Sequence, residues 1–202
     1  MDPARSALWI ARGAPATALA VCVRLFLLLL LGTAASFSRA APQEGPSTEV
    51  GVQAAFLFKF GSYVEWPAEA FPSADAPLRI AVVGARDLAR ALDAIAASRS
   101  VLGRPVSVHA LQHGAPLDGF HIVFVDDAQG GALGASIASL GNNPTLVVTK
   151  SDGALADGST INFVIDEGKL RFDVSLDAAN ARGLRISSRL LAVARRVAGV
   201  GP

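Results

Sequence analysis

The chain has 202 residues, 51% of them hydrophobic and 17% charged, with 18 Lys and Arg against 17 Asp and Glu. That charge content lies well below the usual quarter of a globular chain, and the length allows one domain, with or without a removable segment. The near balance of charge offers no basic face for nucleic acid.

The first forty residues differ from the rest. Arg5, Arg12, Arg24 and Arg39 stand against a single acid, Asp2, around the unbroken apolar run Leu25 to Leu31. A basic flank, a short apolar core and small residues ending Ser38-Arg39-Ala40 read as a secretory signal over residues 1–40. The run is shorter than the ~20 apolar residues of a bilayer span. Cleavage is expected after Ala40, with Ala35 as the alternative, and an uncleaved anchor reaching back to Val21 stays open. Removing residues 1–40 leaves 14 basic against 16 acidic residues, formally −2. Cys22, the sole cysteine, lies upstream of the apolar core and follows Val21 rather than a small residue, which argues against lipidation. The remaining chain then has neither a disulfide framework nor a thiol nucleophile.

Residues 41–48 are rich in Pro, Gly and polar groups and suit a flexible linker, so the domain is expected over 49–202. From Glu49 to Glu65 the apolar positions Val52, Phe56, Leu57, Phe60, Tyr63 and Val64 share one helical arc, and Pro67 holds Trp66 extended and stops the helix. Leu78 to Gly84 predicts a strand, and Arg86 to Ala97 a helix with Leu88, Leu92 and Ile95 on one side. Further strands are expected at Pro105 to Leu111, His121 to Val125 and Thr145 to Thr149, with a small-residue helix before Leu140. Near-continuous apolar strands separated by helices imply a sheet covered on both faces. Thr160 to Ile165 and Lys169 to Val174, flanking Asp166-Glu167-Gly168, predict a hairpin. A helical tail should come next, capped by Ser187 or Ser188, with Leu190, Leu191, Ala194 and Val197 on one face. The fold class is therefore α/β: a single layered domain with a mixed, mostly parallel sheet flanked by helices, a C-terminal β-hairpin and a closing helix.

Chemistry-bearing clusters are few. Asp126 and Asp127 end a parallel strand, and Thr149 and Lys150 end the next, at the edge where open α/β sheets place ligands. Asp126, Asp127 and Lys150 are therefore the candidate ligand-binding residues. A phosphoacceptor reading of this cluster fails, because the acids come too late in strand order. The plainer alternative has the acids capping the next helix. His109, His113 and His121 match no zinc spacing, so no metal or cofactor is expected. Neither a Gly-x-Ser-x-Gly elbow nor a phosphate loop occurs, and no catalytic residue is assigned.

On the first helix, Phe58 and Trp66 are expected opposite the core arc, among Lys59, Ser62 and Glu65, an interface-like mixture of aromatics and charges. The alternative is that the hairpin or closing helix covers them. Arg182, Arg185, Arg189, Arg195 and Arg196 occur with no acid after Asp177; they suit an acidic partner or headgroups, or simply complement a helix C-terminus. Candidate partner-binding residues are Phe58, Lys59, Ser62, Trp66, Arg185 and Arg189.

Two stretches carry a resemblance. One is Ala54-Ala55-Phe56-Leu57-Phe58-Lys59-Phe60 with Tyr63-Val64-Glu65-Trp66-Pro67. The other is Gly158, Ile161-Asn162-Phe163, Arg171-Phe172-Asp173-Val174, Gly183-Leu184, Ile186-Ser187-Ser188 and Leu190-Leu191. Over Val50 to Val197 the chain resembles the YfiR-like periplasmic regulators. Ser175 stands where that family often has Asn, and the cysteines of some members are absent, so control by oxidation does not carry over. The resemblance implies a periplasmic, non-enzymatic protein that restrains a membrane diguanylate cyclase or sensor kinase through that partner's periplasmic domain; a homodimer stays open. The competing reading is a small-molecule-sensing module with its pocket at the strand ends near Asp126 and Lys150.

Overall fold

A computed structural model describes residues 48–127, 131 and 133–199. The expected leader and all of the expected linker but Thr48, which begins the first helix, lie outside these residues. The helix α1 (Thr48–Tyr63) leads into β1 (Val64–Glu65) and a 3-10 turn at Ala68–Ala70. Then come β2 (Leu78–Val83), α2 (Arg86–Ala96), β3 (Ser100–Val101), β4 (Arg104–Leu111), β5 (Ile122–Val125), α3 (Leu133–Leu140) and β6 (Leu146–Thr149). The chain closes with β7 (Ile161–Asp166), β8 (Lys169–Ser175), α4 (Leu176–Ala181), β9 (Arg185–Ile186), α5 (Ser188–Leu191) and β10 (Arg196–Ala198).

Eight strands form one sheet in the order β10-β8-β7-β6-β5-β2-β4-β3, while β1 and β9 make a separate antiparallel pair. The run from β4 through β2, β5 and β6 to β7 is parallel. β8 folds back on β7 in an antiparallel hairpin, β10 lies parallel to β8, and β3 is antiparallel to β4. This is the expected α/β class with a mostly parallel sheet.

The continuous apolar strands follow from two buried faces. Successive side chains of a strand point to opposite sides. Leu78, Ile80, Val82, Ile122, Phe124, Leu146 and Val148 join one core with α1 and α2, whereas Ala81, Val83, Val123, Val125 and Val147 join a second with Leu133, Ile137 and Leu140 of α3. In the larger core Phe56, Phe60, Phe163 and Phe172 form an aromatic cluster with centroids 5.3–6.1 Å apart. Gly61 allows α1 to lie close over the sheet edge: a Cβ there would come within 2.8 Å of Leu78 Cδ2 and 3.0 Å of Val101 Cγ1.

Three expectations need correction. Phe58 is not on the surface: it is 7% exposed and shares a core cluster with Leu88 and Leu92 of α2, because α1 packs against both the sheet and α2 and so buries a wider arc than one amphipathic face. The first helix stops at Tyr63, since Val64 and Glu65 pair with Ile186 and Arg185. The closing helix is only Ser188–Leu191; the rest of the tail becomes β10, with Val197 opposite Val174. Two contacts with β8 pull this strand in, the Arg195 N–H donating to Phe172 O (2.9 Å) and the Arg195 guanidinium gripping the buried Asp173 carboxylate with both oxygens engaged.

Candidate functional site

The carboxyl ends of β4, β2, β5 and β6 converge on a cleft of 680 Å³ whose walls include Leu111, Gly84, Asp126 and Lys150. Gly84 has φ +80°, and a Cβ there would lie 2.6 Å from His113 Nε2 and 3.0 Å from Asp126 O, so only glycine lets α2 begin this close to β5. Ala85 is the N-cap of α2 and supplies no side-chain cap to its first-turn N–H groups. The first turn of α1 reaches the same cleft with Glu49, Val50 and Gln53, and Glu49 pairs with Lys150. The backbone on either side of Lys150 is tied down by a polar knot. There the Thr149 hydroxyl bonds Asn162 Oδ1 (2.8 Å) and Ser159 Oγ (2.9 Å), and the Ser151 N–H donates to the same Asn162 oxygen (3.1 Å). The structure thus brings Asp126 and Lys150 together and leaves Asp127 outside the residues lining this cleft.

The amino edge of the sheet carries a second, wider cleft of 840 Å³, bordered by Ser62, Tyr63, Trp66, Phe71, Leu102 and Arg104. Its floor is held by His121. The Arg79 backbone N–H donates to His121 Nδ1 (3.0 Å), which fixes the tautomer: Nε2 carries the proton and faces Ala70 O at 3.0 Å. Phe71 stacks on this imidazole at 4.2 Å, Trp66 meets it edge to face, and Arg104 lies 3.9 Å above the Phe71 ring. Burial pushes the His121 pKa below its ordinary value, and the neighbouring Arg79 and Arg104 act in the same direction against the bond to Ala70.

Leu102 is the unusual member of this rim. It is 66% exposed and has φ +51°, followed by Gly103 at +77°, in the two-residue turn joining β3 to β4. Two positive φ values give the mirror-image turn that fits a right-twisted hairpin, a geometry that suits Asn-Gly rather than Leu-Gly. A leucine here is both conformationally strained and in water.

Tyr63 also lines a third, narrower cleft of 330 Å³ with Phe56, Lys59, Arg171 and Arg189. Lys59, Ser62, Trp66 and Arg189 therefore occupy neighbouring walls around the end of α1. Arg185 stands on β9 opposite Glu65, 3.7 Å from its carboxylate and largely in solvent. The other arginines diverge: Arg182 is buried and donates to Gly158 O and Ala178 O, both at 3.2 Å, while Arg195 and Arg196 answer Asp173. His109 packs on Phe120 at 5.1 Å, and among the described residues no group of three or more His, Cys, Asp or Glu gathers as a metal site.

A family model described as YfiR/HmsC-like matches residues 51–195. The chain belongs to the YfiR/HmsC-like family. This match spans both cores, the ribbon of β1 and β9, and the residues of all three clefts except Glu49 and Val50. That family is known for periplasmic regulators of diguanylate cyclases. A solved structure of a conserved domain protein from Vibrio cholerae O1 biovar El Tor str. N16961 matches with a TM-score of 0.51 at 14% identity, over 73% of this chain and 60% of that one, and shows the shared fold. No curated protein matches the chain. No described helix of this YfiR/HmsC-like protein is long and apolar enough to cross a membrane.

Sequence reasoning missed Leu102, Phe71, Arg104 and Gln53. Leu102-Gly103 carried a readable signal, an apolar residue where a tight turn wants Asn or Asp. Gln53 carried none, since its importance depends on what surrounds it.

Proposed function

We propose that this protein is a non-enzymatic periplasmic regulator that docks on the periplasmic domain of a membrane-bound signalling enzyme, such as a diguanylate cyclase, through the amino-edge surface around Trp66. The observation that carries the reading is Leu102, which is left-handed and exposed at the lip of an aromatic cleft. Strain and apolar exposure at one position are costs that folding alone does not repay, and they cluster where a surface is used.

The surroundings define the partner's chemistry. Trp66 and Phe71 supply large apolar area, and the Trp66 indole N–H is buried without a partner among the described residues, ready for an acceptor. Lys59, Arg104, Arg171 and Arg189 flank the clefts, while Glu65 is engaged by Arg185. An acidic segment with one or two apolar anchors fits this rim, and a cluster of aromatics ringed by cations is the composition of a binding hot spot.

The test uses the purified protein and the isolated periplasmic domain of a membrane diguanylate cyclase from the same organism. Leu102→Asn removes the anchor while relieving the left-handed strain, so stability should hold or rise as affinity falls at least about tenfold. Cyclic di-GMP should rise in cells carrying this variant, as in cells lacking the protein. Unchanged affinity for Leu102→Asn and Trp66→Ala, both folded, removes this surface from the interaction. No association together with unaltered cyclic di-GMP on deletion removes the function.

A further inference from the structure

The geometry points to the carboxyl-edge cleft as a binding site for a small organic monocarboxylate with an apolar body, distinct from the docking surface and lying at the other end of α1. Two independent features ask for an oxyanion. The first is the start of α2, an 11-residue helix whose residues Ala85, Arg86, Asp87 and Leu88 line the cleft and whose N-cap residue, Ala85, supplies no side-chain cap. Such an end is equivalent to about half a positive charge and favours an anion. The second is Gln53. It lines the same cleft, is 95% buried, being only 5% exposed, and its Nε2 has no hydrogen-bond partner among the described residues. A buried amide donor left unmade costs free energy, and a carboxylate oxygen arriving in the cleft relieves it.

The remaining lining selects among oxyanions. Arg86 provides positive charge, while Lys150 answers Glu49 and Arg90 answers Asp87, so these two acids are neutralised within the protein. Asp126 stands at the β5 end of the cleft and opposes a dianion. One negative charge is what these groups tolerate. The cleft far exceeds a bare ion in volume, and Val50, Leu88, Leu111 and Phe124 give it an apolar side. A site of this size with apolar walls and a few converging polar groups suits a small organic molecule. The carboxylate lies toward Gln53 and the α2 terminus, with the apolar body toward Phe124 and Leu88.

Benzoate, benzamide and inorganic phosphate separate the possibilities, read by thermal shift and calorimetry on the purified protein. Benzoate should raise the melting temperature saturably, as a ligand confined to the native state must. Benzamide, of the same shape but uncharged, should bind at least about tenfold more weakly, and so should phosphate. Gln53→Met keeps the volume and removes the orphaned amide. It should leave the ligand-free protein as stable or more so, yet weaken benzoate about tenfold or more. Lys150→Met gives the second variant, with reduced benzoate affinity and unchanged folding. Equal shifts with benzamide would reduce the site to an apolar hollow, and an equal or larger shift with phosphate would make it a plain ion site. Either result overturns the proposal, as does a benzoate response that survives Gln53→Met or never appears.

Discussion

Replacing His121 by Phe isolates the device that holds the floor of the amino-edge cleft. The imidazole accepts from the Arg79 N–H through Nδ1, faces Ala70 O through Nε2–H, and stacks on Phe71. Phenylalanine keeps the stack and forfeits both polar contacts. An orphaned N–H in a part-buried setting costs about 1–3 kcal/mol, and losing the second bond adds roughly 0.5–1.5, giving about 1.5–4.5 kcal/mol in all. The pH dependence comes from the same geometry. Protonating Nδ1 destroys its acceptor role, and burial holds the folded-state pKa below the ordinary 6.5. The unfolded chain therefore binds the proton first as pH falls, so the stabilisation is complete above about 6.5 and is lost on the way down through the lower folded value. Each unit of separation contributes about 1.4 kcal/mol. Urea denaturation across this range should give a wild-type stability that declines on acidification, and a His121→Phe curve that starts lower and is flatter there. Parallel curves for the two proteins would show that the imidazole does not act as described.

Other outcomes rest on the packing. Phe60→Ala removes a fully buried ring from the aromatic cluster and should cost about 3–5 kcal/mol in denaturant midpoint experiments. Gly61→Ala should lose about 1 kcal/mol despite the better helix former, because the new methyl meets Leu78 and Val101, both buried; a gain in stability would show that the sheet edge yields. Glu167 sits at φ +48° before Gly168 in the β7–β8 turn, so Glu167→Asn should raise stability by about 0.5 kcal/mol in the same assay. Asp173→Ala should detach β10 from β8, seen as faster amide exchange at Val197 with β2 and β5 unchanged, since Arg195 and Arg196 both turn to this carboxylate.

The central sheet was legible because its strands are apolar on both sides, and residues such as Ile80, Val82, Ile122 and Val148 leave no alternative to double burial. The β7–β8 hairpin was equally plain from Glu167-Gly168. The elements that escaped are those whose existence depends on a distant partner. Val64 and Glu65 become strand only because Ile186 and Arg185 lie opposite, and β3 is two residues fixed by the Leu102-Gly103 turn. The tail shows the same effect more sharply. Leu190, Leu191, Ala194 and Val197 have helical spacing, yet the Asp173 carboxylate and Phe172 carbonyl capture Arg195 and draw Arg196–Ala198 into the sheet as β10. Phe58 was misplaced because a helical wheel cannot say how many neighbours a helix has. At the carboxyl edge, Asp126 and Lys150 could be found from the general rule for α/β sheets, whereas the amide of Gln53 acquires its meaning from a cavity wall that no local pattern encodes.

The seating of α1 on Gly61 bears on communication across the molecule. The helix rises ~1.5 Å per residue, so its bordering of the carboxyl-edge cleft begins roughly 20 Å from that close contact, while Tyr63 lies only about 3 Å beyond it. With the pivot so near one end, tilting attenuates movement about sixfold between the two extremities. A ~1 Å displacement of Glu49 would reach Tyr63 as less than the amplitude of ordinary thermal motion. A rigid tilt about this one glycine would thus insulate the amino-edge rim from events at the opposite edge of the sheet.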